Sequence, residues 1–142
     1  MYEYKCEVTR VVDGDTIDCV LDLGFSILHK CRVRLYGIDT PESRTRDLDE
    51  KARGKLASKF LEDSIKNGKQ IILRSELKDS KGKYGRVLGS IVVDDLDINK
   101  AMVTQNLAVK YFGQSKADVE AEHMLNRQKL IDSGAYVPES DI

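Results

Sequence analysis

The sequence predicts a mainly β fold with added helices (α+β), in which five short strands close a barrel and about three helices pack outside it. Three observations carry this expectation. Period-two alternation of apolar and polar residues fills the chain up to residue 35 and returns between residues 70 and 93. A single segment of 3.6-residue period separates the third strand from the fourth. Two further helical segments follow the fifth strand. That order is the one used by small Greek-key barrels of the OB type.

Each element has its own local justification. Glu7 to Val12 reads as a strand that runs into Asp13-Gly14, a two-residue hairpin signal. Its partner extends from Thr16 to Leu23, where Ile17, Cys19, Leu21 and Leu23 take one face and Asp18 and Asp22 the other. Gly24-Phe25-Ser26 turns the chain again. In the strand from Ile27, residues Cys31, Val33 and Leu35 share the core face, which puts Arg32 and Arg34 on the opposite one. Ala52, Leu56, Phe60, Leu61 and Ile65 mark a helix from Leu48 to Asn67, stopped at Asn67-Gly68. Strands at Gln70 to Ser75 and Val87 to Val93 flank the polar loop 78–86. Asp97 caps a helix carrying Ile98, Met102, Val103 and Leu107. The last helix spans Ala117 to Asp132, with Val119, Met124, Leu125, Leu130 and Ile131 as its apolar side and Ser133-Gly134 as its end.

The size of 142 residues fits one domain over 1–142, and no repeat, linker or low-complexity tract divides it. With 41% hydrophobic and 33% charged residues the chain is globular rather than disordered. No apolar run reaches the roughly 18 residues a membrane span needs, so no membrane partner is expected. The polar start Met1-Tyr2-Glu3-Tyr4-Lys5-Cys6 is not a signal peptide. Cys6, Cys19 and Cys31 lack zinc-site spacing and read as reduced core thiols, which fits a cytoplasmic setting. The net charge of −1 hides an uneven distribution. Basic residues crowd residues 30–55 and 78–86, whereas acid collects after Asp118, so the local field can be positive where the whole is not.

Four pieces carry candidate chemistry. In Asp13-Gly14-Asp15-Thr16 the first two residues need only the turn to explain them, but Asp15 stands at the mouth of the strand. In Ile38-Asp39-Thr40-Pro41-Glu42 two carboxylates lie three residues apart on a backbone stiffened by proline. Calcium and magnesium take oxygen from carboxylates and backbone carbonyls, so Asp15, Asp39 and the Thr40 carbonyl form a ligand set if the two stretches meet. Taken alone, the second is equally a proline turn decorated with acids. Arg34 lies five residues before Asp39, an odd spacing that separates them on an ideal strand. They converge only if the strand ends or bulges near Gly37. Lys83-Tyr84-Gly85-Arg86 is a basic hairpin tip whose arginine suits bidentate phosphate contact.

Together these pieces resemble the staphylococcal nuclease (thermonuclease) family. The likeness runs through Val11 to Thr16, Arg34 to Glu42, Lys83 to Arg86 and the helical stretch Asn99 to Ala108, in that order. It implies an OB-type barrel with three helices and a calcium-dependent endo- and exonuclease that leaves 3′-phosphates on DNA or RNA. Carried over by position, Asp15 and Asp39 would be calcium ligands together with the carbonyl of Thr40. Glu42 would activate or order water, and Arg34 and Arg86 would grip the scissile phosphate. Lys83 and Tyr84 would bind a neighbouring phosphate, with Tyr111 nearest to the family's base-contacting tyrosines. Oxygen ligands of this kind also suit Mg2+ or Mn2+. The loop Ser43 to Asp47 departs from the family pattern. A monomer is expected. Two alternatives stand beside the enzyme: an inactive OB-type module that binds single-stranded nucleic acid, and an interaction domain whose acids hold a stabilising ion.

Overall fold

The computed structural model describes residues 2–76 and 87–138. Strands β1 (Glu3–Asp13), β2 (Thr16–Asp22) and β3 (Leu28–Leu35) form an antiparallel meander. After the two-residue strand β4 (Ile38–Asp39) comes helix α1 (Leu48–Asn67), then β5 (Ile71–Ser75) and β6 (Val87–Val93). β5 pairs with both β1 and β6, and β6 runs parallel to β3, with Val33 opposite Val87 and Leu35 opposite Gly89. The circuit β1-β2-β3-β6-β5-β1 is a closed five-stranded barrel of the OB type, and closure leaves its strands without a free edge.

Beyond the barrel lie β7 (Leu96–Asp97), α2 (Ile98–Thr104), β8 (Val109–Lys110) and α3 (Lys116–Asp132). β4 and β8 form a separate ribbon, with Ile38 opposite Lys110 and Asp39 opposite Val109. None of the described helices is long and apolar enough to cross a membrane.

The barrel is filled by the residues that alternation selects. Ile17, Cys19, Leu21, Val33, Leu35, Leu73 and Ile91 are all buried, and Ile98 and Met102 of α2 close one end. Leu23, expected in this set, lies past the end of β2 and is half out in solvent. The first strand also begins earlier than expected, because Glu3 to Lys5 pair with Ile72 to Arg74, a partnership some 70 residues away that no local pattern encodes. The first turn shifts by one residue. Asp13 pairs with Thr16, so the turn residues are Gly14 and Asp15. Gly14 is required by proximity: a Cβ there would sit 2.7 Å from the Cβ of Ala57.

That contact explains α1. Asp47 caps it by accepting from the backbone N–H groups of Asp49 and Glu50. Its buried residues are Arg53, Gly54, Ala57 and Leu61, so of the expected apolar line Leu61 alone is fully buried. Small residues let the helix press on the barrel mouth, whereas Leu56, Phe60 and Ile65 pack only partly.

Cys19 and Cys31 face each other across β2 and β3 with sulfurs 3.9 Å apart, and all three thiols are free. Burial beside Cys19 pushes the Cys31 thiol up to about 12. A hydrogen bond with Cys6, added to burial, raises Cys19 as well, so these are inert packing thiols.

α3 differs from expectation on its buried side. Val119, His123 and Leu130 face inward, whereas Met124 and Leu125 are exposed.

Candidate active site

Three stretches converge at the barrel mouth beside α3. Arg34 is the penultimate residue of β3, on the face away from the core. Asp15 comes from the turn between β1 and β2, and Asp39 from β4. Arg34 and Asp39 meet because the chain turns between them at Tyr36-Gly37, where Gly37 takes a left-handed φ of +77°.

The guanidinium of Arg34 is the hub. Its Nη2 lies 3.5 Å from Oδ2 of Asp15 and 3.5 Å from Oδ1 of Asp39, and its Nη1 donates to the carbonyl of Leu35 at 2.9 Å. The side chain is only 17% exposed, so this fork is held rather than waving in solvent. Asp15 is fixed from two more directions. Its Oδ1 accepts from the Thr16 hydroxyl, and its Oδ2 accepts from the backbone N–H of Thr40 at 3.3 Å. Asp15, Arg34, Asp39 and the Thr40 peptide therefore share one small volume.

Glu42 follows Pro41 at the rim. Its backbone N–H donates to Oε2 of Glu50, in the first turn of α1. A Cβ on Gly54 would lie 2.7 Å from the carbonyl carbon and oxygen of Glu42, so the helix backbone seats this residue directly. Burial raises the Glu42 carboxyl, and the neighbouring acids Asp13, Asp15, Asp39 and Glu50 push it the same way. The hydroxyl of Ser43 donates to Asp13, tying the divergent loop to the first turn.

Two features of the site had no motif in the sequence. His123, 5% exposed, reaches from α3 to Oδ2 of Asp39 at 2.8 Å. An ionised carboxylate only accepts, so the imidazole Nε2–H is the donor. Asn126, one turn further on, donates to the carbonyl of Ala108 and pins α3 to the segment leading into β8. The available signal was spacing: Val119, His123, Asn126 and Leu130 recur on one helix face, where a polar residue needs a buried partner. Tyr111 lies in the same cleft, a depression of about 590 Å3 bounded also by Lys116 and Glu120 of α3. Lys83, Tyr84 and Arg86 lie outside the described residues.

Among the described residues, no three His, Cys, Asp or Glu side chains are grouped to hold a metal by themselves. The donor set at hand is smaller: two carboxylates sharing one guanidinium, with the backbone N–H of Thr40 on one of them. Such oxygens suit a hard dication that keeps water or a substrate oxygen in its remaining positions. A cleft that offers acids to a cation and a fixed guanidinium to an anion can bring a metal ion and a phosphate together.

Comparison with known proteins gives the same direction. The family model described as "Staphylococcal nuclease homologue" matches residues 32–131. Endonuclease YhcR of Bacillus subtilis (strain 168) is 36% identical over 118 residues, covering 78% of this chain and 9% of that protein. Protein ParB of Escherichia coli is 35% identical over 130 residues, covering 83% and 64%. Thermonuclease of Staphylococcus intermedius is 35% identical over 101 residues, covering 71% and 56%. The chain thus spans less than two thirds of the length of each of these relatives.

Proposed function

We propose that this chain, which belongs to the staphylococcal nuclease family, hydrolyses phosphodiester bonds of DNA or RNA in a metal-dependent reaction, cutting within strands and from their ends. The observation that carries the reading is the convergence of Asp15 and Asp39 on the single guanidinium of Arg34, with the Thr40 peptide alongside. Asp15, Asp39 and the Thr40 carbonyl would hold the ion, taken as Ca2+ with Mg2+ or Mn2+ as substitutes. When bound, a dication polarises a phosphoryl oxygen and offsets the charge that gathers there.

The chain's own residues supply the remainder. Arg34 aims a guanidinium at the phosphate, where a fixed donor stabilises charge without reorganising. Arg86 is assigned the opposite side of the same group, with Lys83 and Tyr84 on the neighbouring phosphate and Tyr111 against the base. Glu42 takes the proton of the attacking water. Its raised carboxyl makes it a stronger base than a solvated glutamate, which suits it to that task near neutral pH. Arginine stays protonated, so the departing 5′ oxygen draws its proton from water and the products end in 3′-phosphate.

Supercoiled plasmid and a labelled RNA, incubated with calcium and then with chelator, test the reading. Cleavage that requires the ion and leaves 5′-hydroxyl ends open to kinase labelling is expected. Intact substrates with calcium, magnesium and manganese alike would sink it, and retention of single strands in that case would indicate a binding module.

A further inference from the structure

The hairpin of β2 and β3 ends in a tip that the proposed reaction does not use. Thr16 pairs with Arg34 at the cleft end of this ribbon and Asp22 with Leu28 at the other, which puts the tip roughly 20 Å from the cleft. There the chain turns over Gly24 to Ile27, and the Ile27 N–H donates to the Gly24 carbonyl at 2.9 Å. Both central residues are left-handed, Phe25 at φ +54° and Ser26 at φ +61°. Turns of this kind ordinarily take Asn or Gly at those positions, because an L side chain is strained there. The strained turn holds Phe25 at the apex, 98% exposed. A bulky ring kept in such a conformation with almost none of its surface covered is the kind of outlier that marks a functional surface.

The apolar surface does not stop at the ring. Leu28 is 67% exposed, Ile27 54% and Leu23 41%. Side chains alternate along the two strands, so Leu28 lies on the outer face with Lys30, while Leu23 and Ile27 continue the core face past the end of the barrel. The tip is therefore apolar at its apex and on both faces. A folded partner would cover one face of such a ribbon, whereas hydrocarbon surrounds it.

Behind the apolar layer comes a polar collar. Lys5 and Lys30 are exposed, and neither makes an ion pair among the described residues. The acids nearest the tip are engaged, Asp22 by the Gly24 N–H and Glu3 by Arg74. Lys5 pairs with Asp22, so Tyr2 and Tyr4 stand at the same end of the barrel, with ring centroids 6.4 Å apart. Lysines on apolar stems and tyrosines with one wet end suit the headgroup level of a bilayer.

We propose that the β2-β3 tip is a membrane-surface anchor, in which Leu23, Phe25, Ile27 and Leu28 enter the hydrocarbon edge of an anionic bilayer and Lys5 and Lys30 meet its phosphate headgroups. Attachment of this kind needs no spanning segment, so the lack of one, on which the expectation of no membrane partner rested, does not bear on it. The anchor stands apart from the proposed reaction, whose cleft lies at the other end of the ribbon.

Co-sedimentation with vesicles of mixed phosphatidylcholine and phosphatidylglycerol, without nucleic acid or metal, tests the anchor. The unaltered chain should bind, and Phe25→Asn should bind about tenfold or more weakly. Asparagine accepts the left-handed conformation, so this variant should melt no lower than the unaltered chain, which separates loss of the anchor from loss of the fold. Lys30→Glu should weaken binding to these vesicles and change little on phosphatidylcholine alone. The chain contains no tryptophan, so Phe25→Trp supplies a single reporter. Its emission should move to the blue on vesicles and be quenched by bromine carried on the acyl chains. Failure of the unaltered chain to sediment with the vesicles overturns the anchor, as does equal sedimentation of Phe25→Asn or a Phe25→Trp emission that ignores the lipid. Self-association that Phe25→Asn abolishes, without vesicle binding, would make the tip a contact between copies of the chain and overturn it too.

Discussion

The hub of the cleft is one side chain whose two terminal nitrogens do different jobs. Nη1 of Arg34 is anchored on the carbonyl of Leu35, and Nη2 faces both carboxylates. Loss of one preorganised donor costs roughly 10²–10³ in rate. Arg34→Ala should therefore lower kcat by that factor on plasmid. It should also leave two acids without their shared cation, so calcium affinity should rise rather than fall, which calorimetry can follow. His123 acts at one remove, by holding Asp39 from behind. Outer partners of metal ligands are typically worth 10- to 100-fold in affinity or activity. His123→Ala should thus raise the calcium concentration for half-maximal activity about tenfold, with a smaller change in kcat at saturating ion, and His123→Gln should recover part of it. An unchanged calcium titration would remove His123 from this role. The sequence exposed Asp15, Arg34, Asp39 and Glu42 because each sits in a short stretch with its own backbone logic, and the Gly37 turn needed to join Arg34 and Asp39 could be demanded in advance. His123 escaped because its partner is 84 residues away and its helix carries no motif.

At the level of elements, α1 is more than a cover for the barrel. Its small face meets the first turn through Ala57 and Gly14, and the backbone of Pro41 and Glu42 through Gly54. Alanine at position 54 would be favoured by helix propensity, by about 1 kcal/mol. The new methyl would nevertheless stand 2.7 Å from main-chain atoms of Glu42 and Pro41, which cannot swing aside as a side chain can. Gly54→Ala should accordingly cost about 1–3 kcal/mol in urea unfolding and depress cleavage by displacing Glu42, whereas Lys55→Ala on the exposed side should do neither. The bounds of α1 and the start of α2 were legible to within a residue, since Asp97 and Gly68 are punctuation that works locally, but α2 stops at Thr104, short of the Leu107 expected on it. Which face turns inward was less so. For α1 the deciding factor is how near the backbone must come, and apolar periodicity favours large side chains instead. In α3 the inward line contains a histidine, which hydropathy does not count, and Met124 and Leu125 were selected in its place.

For the molecule as a whole, Asp49 is the point where the two ends of the fold are joined. It accepts from Arg53 on its own helix, from Arg127 of α3, and from the hydroxyl of Tyr136 beyond α3. Burial works against the ionised form, but these three donors outweigh it and hold the carboxyl below its ordinary value. A folded-state value below the unfolded one means that Asp49 contributes its full stabilisation above about pH 4 and loses it as pH falls through the folded value. Asp49→Asn should lower Tm by roughly 5 °C at pH 7, and the gap from the unaltered chain should close progressively below pH 4. A gap that stays constant into acid would show that the carboxylate charge is not what joins the helices. Overall topology was readable from strand count and order, because five alternating segments with one intervening helix admit few arrangements. The β4-β8 ribbon was not, since two-residue strands are too short to carry a period.

The parallel seam between β3 and β6 has a consequence during synthesis. Residues 33–35 find their partners only at residues 87–89, more than 50 positions later. While the ribosome is still producing that intervening stretch, the emerging meander carries two unpaired borders, the condition in which polypeptides most readily stick to one another. Safe passage through translation therefore depends on how soon the sixth strand arrives.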